Sequence, residues 1–380
     1  MFISLYFAPA YSYGGPVVTL ERLVDELASG GDDCCVVTSN ADGLQTLNAE
    51  TVRRPSGAVV HYCPRLFGGL FAPWALVRSI AESRERSAIY VWGIFVWLLP
   101  VLLVVGHLRR IPLVVASGGM LFEGAISRHR LRKVCFLGLL RALKIEQRAV
   151  FHVTAASEIS AIRRYFPSCR FSNVPHGVDA CDTPAKPEAM PYLLFLGRID
   201  RIKRIELIIR AYSAAATGGR DSRLVIAGDG AATYLAELQS VAREVDTVSR
   251  VVFRGYVEGR EKSELLASAT AVVLCSRSEN FGIVVAEALA AGTPVIVTTT
   301  TPWSMVEAKG VGWYVHDSVP AIAEAMRAAL NLSYDERCDI SRRAKEWMRE
   351  DYSWSSVAVR MQEVFETVVA RSEAGLPLFD

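Results

Sequence analysis

Short apolar runs of strand length recur along this chain, and longer segments with apolar residues at helical spacing lie between many of them. The strand-like runs fall at 2–7, 34–38, 88–92, 112–116, 150–154, 192–196, 223–227, 250–253, 271–275 and 294–298. Such alternation builds parallel sheets with crossover helices. It stops and restarts once. Pro175, Pro184, Pro187 and Pro191 crowd one irregular stretch, which reads as a linker with its boundary near Thr183–Pro191. The expected fold class is α/β, with two Rossmann-like doubly wound domains, 1–183 and 184–355, facing a cleft. Residues 356–380 are expected to form a C-terminal helix and tail that packs back toward the first domain and frays near Gly375. In doubly wound sheets ligands bind outside the carboxyl ends of the strands. Candidate residues are therefore sought there.

Bulk composition narrows the class. A chain of 380 residues, 51% hydrophobic and 22% charged, has the content of two ordinary domains with adequate cores. A formal net charge of +2 provides no global field for nucleic acid. The eight cysteines form no C-x-x-C pair and have no His cluster beside them. They read as reduced thiols, without a metal site. The opening "MFISLYFAPAYSYGG" lacks a basic n-region and an A-x-A pattern, so a first strand is expected there rather than a signal peptide. Ala88–Gly106 runs 19 residues without a charge, close to the length that spans a bilayer. Gly93, Pro100 and the lack of a second such run favour a strand at 88–92 and a buried or membrane-contacting helix at about 95–108.

Three segments carry polar residues where a ligand would sit. "YLLFLGRIDRIKRIELIIRAY" ends a strand in Gly197-Arg198, with Lys203 near the start of an amphipathic helix. A strand-to-helix turn favours an anion through its N–H groups and helix dipole. Arg grips phosphate oxygens in pairs and Lys acts as a point charge. The alternative is a solvated basic loop. "RLVIAGDGAATYL" turns tightly at Gly228-Asp229-Gly230. "SENFGIVVAEALAAGTPVIV" places Glu279 before a helix, Gly282 in its first turn, Glu287 inside it and Gly292 at its C-cap. Gly282 is expected to leave the helix start uncovered. Carboxylates touching a phosphate would repel it, so the two glutamates suit hydroxyl groups on either side of one. The alternative is dipole compensation by Glu279 and an incidental Glu287.

Together these segments resemble the retaining glycosyltransferases of sequence family 4, which have the GT-B fold. Glu279 and Glu287 have the family's Glu-x7-Glu spacing. Gly197-Arg198 and Lys203 match its G-R-x4-K segment, and 227–230 its A-G-D-G segment. "YGGPVVTLERL" at 13–23 matches its N-terminal Gly-Gly loop. "NVPHGVD" at 173–179 is similar to its "IPNGVD" linker, with His176 for the usual Asn. The resemblance implies a donor-binding second domain and an acceptor-binding first domain. It implies that Arg198 and Lys203 hold the donor diphosphate. Glu287 would bind ribose and Glu279 the transferred sugar. Asn280, Phe281, Gly282 and Ile283 would line the sugar and phosphate, with Gly197 and Gly228 beside them. Gly14 and Gly15 would let the first domain approach the diphosphate. Positive charge on the leaving diphosphate would lower the barrier, and no metal or other cofactor is implied. The donor would be a UDP- or GDP-sugar.

"IPLVVASGGMLFEGAISRHRLRKVCFLGLLRAL" and "TTTPWSMVEAKGVGWYV" are similar to a bacterial subset that builds surface polysaccharides. That subset implies a glycan or polyprenyl-diphosphate-linked acceptor and a cytoplasmic protein peripheral to the inner membrane face. Ser117-Gly118-Gly119 stands where the subset has Pro with Arg or His, and the usual His is not found. Ser117, Gly118, Gly119, Glu123 and His176 are the candidates for the acceptor or sugar side. The segment 127–144 clusters Arg128, Arg130, Arg132, Lys133, Arg141 and Lys144 around apolar residues, a pattern that suits an anionic membrane surface. A nucleotide-sugar epimerase on the same fold, or a catalytically silent scaffold of a membrane glycan assembly, are the rival readings.

Overall fold

The structure, a computed structural model, describes residues 1–43, 45–47, 50–64, 87–127, 129–184, 190–216, 221–245 and 250–374. Arg128, Pro187 and Gly375 lie outside the described residues. The chain divides into two compact units, Met1–Gly177 with Trp354–Asp380, and Val178–Ser353.

The first unit is built on an eight-stranded sheet. Its spatial order is Arg170–Asn173, Ala149–Val153, Leu113–Ala116, Ile89–Trp92, Phe2–Ser4, Cys35–Ser39, Val59–Cys63 and Thr51–Arg53. All neighbours run parallel except the last pair. The chain starts near the middle, winds to one edge and returns to wind to the other, so the order reverses beside Phe2–Ser4. Helix Gly15–Ser29 packs against helix Trp354–Glu373. Phe365 of the latter meets Phe2 and Tyr90 edge-on.

The long uncharged run resolves into two core elements. Strand Ile89–Trp92 is wholly buried, and helix Leu99–Arg109 buries Leu99, Leu102, Leu103 and Gly106. A Cβ on Gly106 would stand 2.4 Å from Leu113 Cδ1. One face of the helix thus lies directly on the sheet, while Val101, Val104 and Leu108 on the rest of it are exposed. Among the described residues no helix is long and apolar enough to cross a membrane.

The second unit holds six parallel strands in the order Val251–Gly255, Arg223–Ala227, Tyr192–Leu196, Ala271–Leu274, Val295–Thr298 and Gly312–Val315. In chain order this is 3-2-1-4-5-6, the dinucleotide-fold arrangement. Its switch point falls between Tyr192–Leu196 and Ala271–Leu274. Tyr192–Leu196 and Ala271–Leu274 are buried throughout, as parallel strands covered on both faces must be. Each of the ten strand-like runs overlaps a strand. Six strands were not expected from the sequence: Arg170–Asn173, Thr51–Arg53, Gly312–Val315, the antiparallel pair Ala41–Asp42 with Gln45–Thr46, and Val59–Cys63 inside the first sheet. Most of their residues are exposed or half-buried, so they lack a continuous apolar run.

Candidate active site

Two turns meet at the switch point of the second unit. The first follows strand Tyr192–Leu196. Gly197 and Gly228 have φ of 150° and 144°, and a Cβ on Gly228 would stand 1.8 Å from the Gly197 carbonyl oxygen. Only glycine fits there, so the two turns lie backbone to backbone. The Gly197 N–H donates to Ala227 O and the Ile199 N–H to Asp229 O. Beyond them Asp200 caps the short 3-10 turn Arg201–Lys203 by accepting from the Ile202 N–H. The second turn follows Ala271–Leu274, and the Arg277 N–H donates to Ile202 O at 2.7 Å, joining the two.

The join brings charge together. Lys203 Nζ lies 2.5 Å from Glu279 Oε2, with side chains 18% and 14% exposed. Ser276 Oγ donates to the same oxygen at 2.8 Å. Glu279 Oε1 takes no hydrogen bond among the described residues. Arg204, the next residue, has left-handed φ of 52° and pairs with Asp317 at 2.5 Å. Arg198 projects outward, with a side chain 74% exposed and Asp200 3.8 Å away.

The helix after Glu279 is Ile283–Ala290, eight residues long, with Gly282 as its left-handed N-cap. Gly282 is buried rather than open. Its missing side chain makes room for Glu279 Cγ and Trp303 Nε1, which a Cβ would meet at 3.0 and 3.4 Å. The Trp303 indole N–H donates to Phe281 O at 2.5 Å. Phe281, Trp303, Trp347 and Tyr352 pack as one aromatic cluster beneath the turn. Asn280 is half-buried beside it. Glu287 leaves this helix toward Lys262 Nζ, 2.6 Å from its Oε1, with both side chains partly exposed. Lys262, on helix Gly259–Ser268, is a charged neighbour the sequence did not single out.

In the first unit Gly14 caps helix Gly15–Ser29 with φ of 75°, and a Cβ at Gly14 or Gly15 would touch nothing within 4 Å among the described residues. Ser117, Gly118 and Gly119 follow strand Leu113–Ala116, both glycines in the left-handed region. Their organiser is Glu158, a buried carboxylate missed in the sequence. It accepts from Ser117 Oγ (2.6 Å), the Gly119 N–H (3.1 Å), and the Thr154 N–H and Oγ1 (2.8 Å each). Its position in the first turn of helix Ala156–Arg163 suits a negative charge. Glu123 points to solvent, its side chain 89% exposed and 4.0 Å from Arg164. His176 lies against Trp92, ring centroids 5.8 Å apart. Burial, then His152, pushes its pKa down to about 3, so it is neutral. His152 is buried too. Its Nε2 faces Val174 O, which only accepts, so Nε2 carries the proton and Nδ1 accepts from Tyr90 O–H. Burial holds this imidazole below its usual range. Among the described residues no group of three or more His, Cys, Asp or Glu stands close enough to hold a metal ion.

Comparison with known proteins gives the class. Both units superpose with solved GT-B glycosyltransferases, so the fold is GT-B. A sucrose-phosphate synthase from Thermosynechococcus elongatus has a TM-score of 0.73 and 20% identity, covering 97% of this chain and 99% of that one. Anabaena HepE in complex with UDP has a TM-score of 0.73 and 16% identity, covering 96% and 98%.

Residues 182–347 match the family model for glycosyl transferases group 1. An uncharacterized glycosyltransferase of Methanocaldococcus jannaschii is 34% identical over 177 residues, 46% of this chain and 44% of that protein. A GDP-mannose-dependent alpha-(1-6)-phosphatidylinositol dimannoside mannosyltransferase of Mycobacterium tuberculosis is 28% identical over 184 residues, 48% and 46%. The matches span about half the length of these curated relatives.

Proposed function

We propose that this protein is a retaining glycosyltransferase of family 4. It transfers a hexose-type sugar from a nucleoside-diphosphate sugar to a glycan or lipid-linked acceptor and forms an α-glycosidic bond. The observation that carries the reading is the Lys203–Glu279 pair at the switch point of the unit that matches the model for glycosyl transferases group 1. In a parallel sheet this is where a nucleotide binds.

Arg198 and Lys203 supply positive charge as the diphosphate leaves. Such charge counts for most where it meets charge that develops in the transition state. Glu279, with Oε2 held by Lys203 and Ser276, offers Oε1 to a hydroxyl of the transferred sugar. Glu287 binds the ribose. The glycine-capped start of helix Gly15–Ser29 suits an anion. Ser117–Gly119, held by Glu158, is the sugar or acceptor side of the first unit, with Glu123 and His176 as further candidates. UDP bound to HepE and GDP-mannose in the mycobacterial relative's name support a UDP- or GDP-sugar donor.

The acceptor reading adds a membrane surface. On helix Arg130–Ala142, Leu131, Val134 and Leu139 are exposed beside Arg130, Arg132 and Arg141. On helix Leu99–Arg109, Val101, Val104 and Leu108 are exposed as well. An apolar stripe edged with cations suits anionic lipid and a polyprenyl-diphosphate acceptor on the cytoplasmic face, in surface-polysaccharide assembly. The test is incubation with a panel of nucleotide sugars and acceptors, followed by NMR of the product. An α-linked glycoside is expected. A β-linked product, an epimerised sugar nucleotide, or no turnover with any donor would overturn the reading.

A further inference from the structure

The two glutamates of the site share one arrangement. Each is held through one oxygen by a lysine from a different element. Lys203 holds Glu279 from the turn after strand Tyr192–Leu196. Lys262 holds Glu287 from helix Gly259–Ser268, which follows strand Val251–Gly255. Lys262 Nζ meets Glu287 Oε1 at 2.6 Å, and the Glu287 Oε2 takes no hydrogen bond among the described residues. The side chains are 32% and 24% exposed, so the pair sits at the edge of solvent where a ligand can reach it. A glutamate has several staggered side-chain arrangements to choose among. A cation on one oxygen selects one of them and aims the other oxygen.

We propose that Lys262 is a positioning residue for the donor's ribose. It fixes Glu287 Oε1, so that Oε2 stands ready to accept from a ribose hydroxyl. The inference rests on the reading of Glu287 as the ribose acceptor. It adds a residue that neither the Glu-x7-Glu spacing nor the G-R-x4-K segment includes. It also separates two roles for lysine in the site: Lys203 serves the diphosphate and sugar, Lys262 the ribose.

The test is calorimetric binding of UDP and GDP, and of the 2′,3′-dideoxy form of whichever binds. Wild-type protein is expected to prefer the ribose form by tenfold or more. Lys262→Met should weaken binding of the ribose form about tenfold and leave the dideoxy form within twofold. Lys262→Arg should restore most of the preference. Glu287→Gln should lose the preference as well, and adding Lys262→Met to it should change nothing further. Equal weakening of both forms by Lys262→Met would overturn the proposal, because a lysine acting as a point charge on the diphosphate does that. An unchanged preference would overturn it too. A wild type with no preference for ribose would remove the Glu287 reading and this inference with it. Melting temperature checks folding, and Lys262→Gln gives the same comparison should Lys262→Met fail to fold.

Discussion

Lys203 Nζ and Glu279 Oε2 lie 2.5 Å apart although the residues are 76 positions apart in the chain. The contact exists because strands Tyr192–Leu196 and Ala271–Leu274 are neighbours at the point where the sheet reverses its order. Lys203→Ala removes a cation from the proposed diphosphate site, and Glu279→Ala removes the oxygen offered to the sugar. Each is expected to lower kcat by about 10²–10³-fold, the cost of one well-placed electrostatic group. The pair is largely but not fully buried, so stability should fall by only about 1–2 kcal/mol. Steady-state kinetics and urea unfolding separate the two effects. Turnover within tenfold of wild type in both variants would contradict the account.

Two candidate glycines, one in each unit, should differ in what they do. Gly228→Ala drives a Cβ into the Gly197 carbonyl and strains a φ of 144°. It should cost at least about 3 kcal/mol and show as a lowered unfolding midpoint. Gly15→Ala meets nothing within 4 Å among the described residues and lies at the first position of a helix. Its melting temperature should hold or rise slightly, while donor turnover is expected to fall about tenfold if, as proposed, this helix start serves an anion of the donor. Unchanged turnover in Gly15→Ala would remove that helix start from the site.

Glu158 accepts four hydrogen bonds from two loops while almost wholly buried. Glu158→Gln turns one acceptor oxygen into an NH2 group that faces donors. A loss of about 1–3 kcal/mol is expected. Urea titration measures it, and a neutral result would show that the loops do not depend on this carboxylate.

His176 ties acidity to stability. Its folded pKa is about 3, against about 6.5 in an unfolded chain. Between these values the unfolded chain binds the proton and the folded chain does not. The neutral ring's contribution is therefore complete above about pH 6.5 and is lost as pH falls toward 3. His176→Asn removes that proton uptake. Its unfolding midpoint, followed by circular dichroism from pH 7 to pH 4, should fall less steeply than that of wild type. Parallel profiles would contradict the assignment.

Much of the fold was legible because parallel strands covered on both faces are apolar throughout. Tyr192–Leu196 and Ala271–Leu274 announce themselves as unbroken runs. Thr51–Arg53 and Arg170–Asn173 do not, since edge strands bury little and keep polar letters. The candidate site was legible where a residue type is dictated by its own turn, as at Gly197 and Gly228. It was not legible where the partner arrives from elsewhere in the sheet. Nothing near Glu287 in sequence points to Lys262. Nothing near Ser117 points to Glu158, although an acidic residue in a helix first turn after a buried strand was a weak signal. Gly282 shows a third case, in which the missing side chain makes room for Glu279 and Trp303 rather than leaving a helix start open.

The most direct test of the central claim is thermal unfolding of wild type and Lys203→Ala with UDP, GDP and ADP, with and without EDTA. A nucleotide at about one hundred times its dissociation constant stabilises its site by about 2.7 kcal/mol. The account predicts that one base raises the wild-type melting temperature, that EDTA leaves the rise unchanged, and that Lys203→Ala loses it. No shift with any nucleotide, or an equal shift in the variant, would contradict a diphosphate site at Lys203.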